Sequence, residues 1–148
     1  MANLGYITLI FALGFSSYAL VANACGFLLK REELVVSGVR SFYCAAAWII
    51  LASVSVAVLL SQDAFNLAYV WGYSNRALPW YFKITALWGG QAGSLLWWNT
   101  ILNVFAMIAL WQNRRRDRWM LACICGVFSL SVLFFTVLHL FVADPFSQ

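Results

Sequence analysis

Apolar positions run almost unbroken through four blocks of this chain, residues 4–29, 41–62, 94–111 and 119–143, and polar residues gather between them. An α-helix rises about 1.5 Å per residue, so roughly 20 mostly apolar residues cross the hydrocarbon of a bilayer. The pattern therefore predicts four membrane-spanning helices. The first block meets no charge until Lys30 and has no basic residue before it, which disfavours a cleaved signal peptide. The longest stretch outside the blocks is the loop 63–93, too short for a soluble domain. Residues 1–148 read as one four-helix membrane domain.

Charge placement gives the orientation. Lys30, Arg31 and Arg40 lie between the first two blocks, and Arg114, Arg115, Arg116 and Arg118 between the last two. These are seven of the nine cations; only Arg76 and Lys83 fall on the other side. Cytoplasmic loops are enriched in Lys and Arg. Both short basic loops are thus expected inside (cytoplasmic or matrix-facing), and both termini and the long loop outside. The expected fold class is an all-α integral membrane protein with four transmembrane helices, both termini outside, and an aromatic-rich outer loop carrying a short interfacial helix.

Composition narrows the function classes. The chain is 64% hydrophobic and 9% charged, with a mean hydropathy of +0.84. A soluble domain is about 25% charged. A soluble enzyme, a disordered chain and a nucleic-acid binder are all disfavoured on this ground, and membrane lipids are the expected surroundings. The net charge of +4 is then an orientation signal. Cys25, Cys44, Cys123 and Cys125 all fall near the basic ends of the spans, on the side where thiols stay reduced. Cys123 and Cys125 stand two residues apart and so do not share a helix face, which disfavours a metal site. No Cys-x-x-Cys-His occurs, so this chain carries no covalent haem attachment motif.

The loop carries the most information. Between Asp63 and Trp98 stand ten aromatics within 36 residues: Phe65, Tyr69, Trp71, Tyr73, Trp80, Tyr81, Phe82, Trp88, Trp97 and Trp98. An interfacial belt of Trp and Tyr forms at helix ends, but here the aromatics fill a whole loop. Pro79 followed by Trp80-Tyr-Phe-Lys-Ile-Thr-Ala-Leu-Trp88 predicts a short helix in the outer interface, with Lys83 snorkelling to water. The segment Trp88-Gly-Gly-Gln-Ala-Gly-Ser94 then breaks helical structure. Gly89, Gly90 and Gly93 permit positive φ and close approach of a backbone or flat ligand, and Ser94 is placed to cap the third span. The expected result is a flexible, aromatic-lined shelf at the outer face.

Inside the spans, polar residues are expected to pack helices together. Asn99 and Asn103 stand one turn apart, Asn23 and the Ser16-Ser17 pair mark the first span, and Ala22 with Gly26 forms a small-xxx-small pair. His139, the only histidine, is a weak candidate for haem or metal ligation; hydrogen bonding in the bundle or to interfacial water is the preferred reading. With no ionisable side chain at mid-membrane, ion-coupled transport is disfavoured.

The stretch Ser74-Asn75, Leu78-Pro79, the aromatic segment after it, and Trp88-Gly89 with Gly93-Ser-Leu-Leu-Trp97 resembles the amino-terminal region of the CcmF-type haem lyase family of system I cytochrome c maturation. Asp144-Pro145-Phe146 looks like the Asn-Pro-Phe that closes the fourth span in that family, and the four-span layout agrees along the whole chain. Gln91-Ala92 stands where the family has an acidic residue, often preceded by His, and the family position of His139 is ordinarily apolar. The family's Trp-rich WWD segment and its haem-ligand histidines lie beyond the region matched here. The resemblance implies the first quarter of a haem lyase as a separate chain, as in split versions such as those of plant mitochondria. It implies no catalytic residue on this chain alone. Haem would be held mainly by a partner, with Trp88, Gly89, Gly90, Gly93, Ser94, Trp97 and Trp98 forming a shelf for haem or partner. Implied partners are the second half of a split lyase or other membrane subunits, a haem chaperone and apocytochrome c. The implied location is a bacterial inner membrane or a mitochondrial inner membrane. A structural or accessory subunit of a respiratory or photosynthetic electron-transfer complex is the alternative.

Overall fold

A computed structural model describes residues 2–64, 68–75 and 79–146. The chain folds into α1 (Ala2–Leu29), α2 (Glu32–Ser61), α3 (Ala68–Tyr73), α4 (Trp80–Thr85), a 3-10 turn (Ala86–Trp88), α5 (Gln91–Asn113) and α6 (Arg118–Phe141), with no strand among the described residues. Four of these helices, α1, α2, α5 and α6, are long and apolar enough to cross a membrane. The protein is an all-helical, multi-pass membrane protein.

The four long helices run up and down as a bundle. At one end α1 turns into α2 through Lys30 and Arg31, with Lys30 in the left-handed region (φ 54°) and the Arg31 N–H donating to Gly26 O at 3.0 Å. Gly26 is required there, because a Cβ would collide with the Val35 side chain. The Lys30 ammonium sits 4.7 Å from both the Phe27 and Trp119 rings, and Arg118 lies 3.9 Å from Glu32, so both basic turns share this end. At the other end Phe146 folds back onto Gly5. The Phe146 N–H donates to Asp144 Oδ1 at 2.8 Å. This explains why Asp serves as well as Asn in that motif, since either side chain accepts from the backbone two residues on.

One helix differs from the sequence expectation. α2 begins at Glu32, nine residues ahead of residue 41, so Arg40 stands within a helix and not in a connecting loop. Glu32 and Glu33 in the first turn favour the positive end of the helix dipole, which lets the helix start among charges.

The core is built from small and hydroxylated side chains, which allow close helix approach where apolar burial alone gives little association. Gly38 lies directly against Asn23, Ser41 donates to Phe15 O at 2.9 Å, and Ser53 and Thr100 share a 2.5 Å bond between α2 and α5. Asn23 Nδ2 reaches Cys125 Sγ at 3.3 Å. Asn103 Nδ2 donates to Asn99 O and Oδ1 at 2.8 and 3.0 Å. Cys125 is buried and Cys123 exposed, and all four cysteines are free.

Candidate aromatic shelf

The described residues between α2 and α5 sit at the end of the bundle away from the basic turns. Asp63 (φ 55°) closes α2. Its carboxylate receives Lys83 Nζ at 2.7 and 2.6 Å, tying α4 to the end of α2. Lys83 is only 8% exposed. It does not snorkel to water as the sequence suggests. A carboxylate within reach at the helix end, partly shielded itself, holds the ammonium inward by a charge-assisted pair. Pro79 (φ −55°) starts α4, and its carbonyl accepts from the Phe82 and Lys83 amides. With Lys83 turned inward, Trp80, Tyr81 and Phe82 face outward, their rings in contact with one another.

α3 is an element the sequence pattern does not announce. It presents buried Tyr69, whose hydroxyl lies 3.0 Å from both Ala86 O and Leu87 O and accepts from the Gly90 N–H at 3.3 Å. Burial, the largest influence, raises the Tyr69 hydroxyl above the usual phenol value, partly opposed by the Gly90 N–H. It stays a neutral donor. The Tyr73 ring packs on Tyr69 at 4.9 Å.

These two tyrosines explain the glycines. A Cβ on Gly93 would overlap Tyr69 Oη and Leu87 O, and one on Gly90 would overlap the Tyr73 ring. Gly89 is roomier, its nearest neighbour being Ala86 O at 3.4 Å. None of the described glycines has positive φ, so the expected left-handed turn is replaced by a demand for space. The close approach is made by the chain's own tyrosines. Ser94 also differs from expectation. α5 starts at Gln91 with Gly90 at its N-cap, without a side-chain cap bond, and Ser94 Oγ donates back to Gln91 O at 3.1 Å. The helix starts earlier because Gly90 O already accepts from the Ser94 N–H.

The sequence-expected shelf thus divides into two layers. Gly90 and Gly93 form an inner layer against Tyr69 and Tyr73. Trp88 and Trp97 form the outer layer, their rings 5.7 Å apart at 35°. Trp98 follows Trp97 about 100° round the helix and is 63% exposed. Gln91 is exposed and Ala92 half-buried beside them. Phe65, Arg76 and Leu78, singled out in the sequence, lie outside the described residues. Asp63, Lys83, Tyr69 and Tyr73 brace the shelf, and only the rarity of charge in this loop marked the first two.

His139 lies in the last turn of α6 with no exposed surface. Neither ring nitrogen makes a hydrogen bond of full geometry, and the Ala143 backbone is a polar neighbour of the ring. Asn23 Oδ1, Asn99 Nδ2 and Asn103 Oδ1 are likewise unpartnered in the core. No cluster of three or more metal-ligating side chains occurs among the described residues.

No family model matches the chain. Among curated proteins it is similar to the cytochrome c-type biogenesis protein NrfE of Haemophilus influenzae, 28% identical over 148 residues, covering 100% of this chain and 23% of that protein. It is similar to the cytochrome c-type biogenesis protein CcmF of Pseudomonas aeruginosa, 38% identical over 87 residues, 59% of this chain and 13% of the relative. CcmF of Escherichia coli is 26% identical over 153 residues, covering all of this chain and 23% of the relative. Among solved structures, the fold matches a cytochrome c haem lyase CcmF with a TM-score of 0.92 at 22% identity, covering 99% of this chain and 24% of that one. The chain spans about a quarter of the length of the relatives it matches end to end. These names give no support to an accessory subunit of a respiratory or photosynthetic complex.

Proposed function

Proceeding from the homology of this chain to the amino-terminal part of the CcmF/NrfE cytochrome c-type biogenesis proteins, we propose that it is a membrane subunit of a haem-handling complex for cytochrome c maturation. It corresponds to the amino-terminal part of a haem lyase and acts with a partner chain that carries the haem-ligating segment. The braced outer tryptophans are the observation that carries this reading. The Trp88 and Trp97 rings lie 5.7 Å apart on a segment that Tyr69 ties at Ala86 O and Leu87 O, and Trp98 adds an exposed face. Aromatic faces stack a planar macrocycle without ligating its iron. His139 is enclosed within the bundle, and in this reading the haem ligands and the catalysis belong to the partner. Gly89, Gly90, Gly93 and Ser94 support the shelf from within.

The natural setting in this reading is a bacterial inner membrane or a mitochondrial inner membrane, with a haem chaperone and apocytochrome c meeting the complex at its outer face. Deleting the chain tests the proposal. Loss of covalent haem from all c-type cytochromes is expected. Loss of one respiratory complex with c-type cytochromes intact would overturn it.

A further inference from the structure

The α5–α6 turn carries more positive charge than its own contacts use. Seven cations and three acids, Glu32, Glu33 and Asp117, occupy the basic end, so the whole net charge of +4 lies there. Within the turn, Arg114 is folded onto the Trp111 ring at 4.2 Å and donates to Trp111 O at 2.7 Å. Arg118 faces Glu32 at 3.9 Å. Arg115 and Arg116 are exposed, and neither enters an ion pair among the described residues. Asp117, the acid of this turn, is exposed beside them and pairs with neither.

Arg116 stands at the head of an apolar groove. Its Nη1 lies 4.0 Å from Met120 Sδ in the first turn of α6. Cys123 and Ile124, then Val127 and Phe128, follow Met120 at three- and four-residue steps, and these four line a shallow groove. Lys30, from the α1–α2 turn, lies over the ring of Trp119, the residue next to Met120. Cations from both basic turns therefore stand over the first turn of α6, above this groove. Phe128 is ten residues along α6 from Arg118, a depth of about 15 Å. That is half of a hydrocarbon layer of about 30 Å, or one leaflet.

Orientation in the membrane requires the charges but no groove beneath them. A transmembrane helix needs a seat across both leaflets, whereas this groove stops at about the midplane. A second copy related by a two-fold axis along the membrane normal would bring arginine toward arginine. An anionic phospholipid matches both parts, with its phosphate at the interface and its chains confined to one leaflet. We propose that α6 and the α5–α6 turn bind one such lipid, its phosphate held by Arg115 and Arg116 and an acyl chain lying along residues 123–128. The planar guanidinium fork fits two phosphate oxygens at once, and Lys30 adds a further positive charge beside them. The site does not depend on the functional reading above.

A photo-crosslinking residue at Val127, in the full chain within its native membrane, tests the apolar part. Analysis of the lipids that stay bound on extraction tests the charge. The expected adduct is to phospholipid, with phosphatidylglycerol or cardiolipin enriched over phosphatidylethanolamine. Arg115→Gln with Arg116→Gln leaves five of the seven cations in place to hold the orientation. It should lower that enrichment on the order of tenfold. Arg115→Lys with Arg116→Lys should retain most of it, since the charge remains. Equal labelling of anionic and zwitterionic lipid, or an enrichment indifferent to the double Gln change, would overturn the site. An adduct from Val127 to a protein helix or to a second copy would overturn it as well. Loss of the enrichment in excess inorganic phosphate would assign the arginines to free phosphate, and the lipid site would fall.

Discussion

Lys83 donates to both carboxylate oxygens of Asp63, twenty residues earlier in the chain, and by doing so turns the aromatic side of α4 outward. Removing one partner leaves the other charge partly shielded and unpaired, at a cost of about 1–3 kcal/mol. Asp63→Asn or Lys83→Met is expected to raise cleavage of the segment between α2 and α5 by protease in detergent about tenfold, equivalent to about 1.4 kcal/mol of local opening. The double variant Asp63→Leu/Lys83→Met should be milder than either single change, since no lone charge remains. Equal sensitivity in all three would show that the pair does not hold the loop.

The Tyr69 hydroxyl meets two carbonyls and one amide; Tyr69→Phe takes the acceptor from the Gly90 N–H, whereas Ala86 O keeps the Gly89 N–H. A loss of about 1–3 kcal/mol in loop stability follows, read as faster hydrogen exchange at Gly90. The pH dependence has a defined sign. The folded-state pKa is raised by burial, so the folded loop keeps its proton when the unfolded one loses it. Stability from this hydroxyl is full below pH 10 and falls as the pH rises from 10 through the folded value. Loop protection should drop across that alkaline window in the native chain, and Tyr69→Phe should abolish the pH-dependent part.

Glycines in this chain divide by what surrounds them. Gly93→Ala would press against Tyr69 Oη and the backbone oxygen of Leu87, and backbone does not yield cheaply. A destabilisation of about 1–3 kcal/mol is expected, seen as a lowered Tm in detergent. Gly126→Ala on α6 meets nothing within 4 Å and should raise helix stability by up to about 1 kcal/mol. The same Tm for both variants would refute the tyrosine-packed account of the shelf.

The outer tryptophans are separable from their supports. Trp88→Ala with Trp97→Ala removes the paired ring faces while leaving Tyr69 and Lys83 in place. Haem content of the co-purified complex should fall several-fold while protease resistance of the loop stays unchanged. Unchanged haem content would move the shelf's role to protein docking alone.

Much of this was legible in the sequence because the membrane imposes a simple rule. An unbroken apolar block of sufficient length has one stable solution, and the clustered cations mark which turns share an end. The shelf was legible as composition but not as architecture. Glycine spacing at Gly89, Gly90 and Gly93 points to positive φ and close approach of a backbone or flat ligand, and the structure uses two of the three for close approach by Tyr69 and Tyr73. That pairing links residues about twenty positions apart, which no local period reveals. The inward turn of Lys83 is hidden for the same reason, its partner Asp63 being equally distant. Charge usually ends a span, which points Arg40 to a loop, whereas the helix continues through it.

His139 gives the sharpest contrast between chemical promise and geometry. Imidazole is the usual haem ligand, yet this ring is wholly enclosed and neither nitrogen makes a hydrogen bond of full geometry. An unsatisfied buried polar group costs about 1–3 kcal/mol, and replacing it by an apolar side chain of similar size recovers part of that. His139→Leu is therefore expected to leave stability unchanged or raise it by about 1 kcal/mol, with haem content of the complex unaltered. A lowered Tm would mean the ring holds a buried water that bridges it to the bundle, as the unpartnered Asn99 and Asn103 atoms in the same core would also require. Loss of haem with an unchanged Tm would instead make His139 a ligand and overturn its assignment as an enclosed core residue.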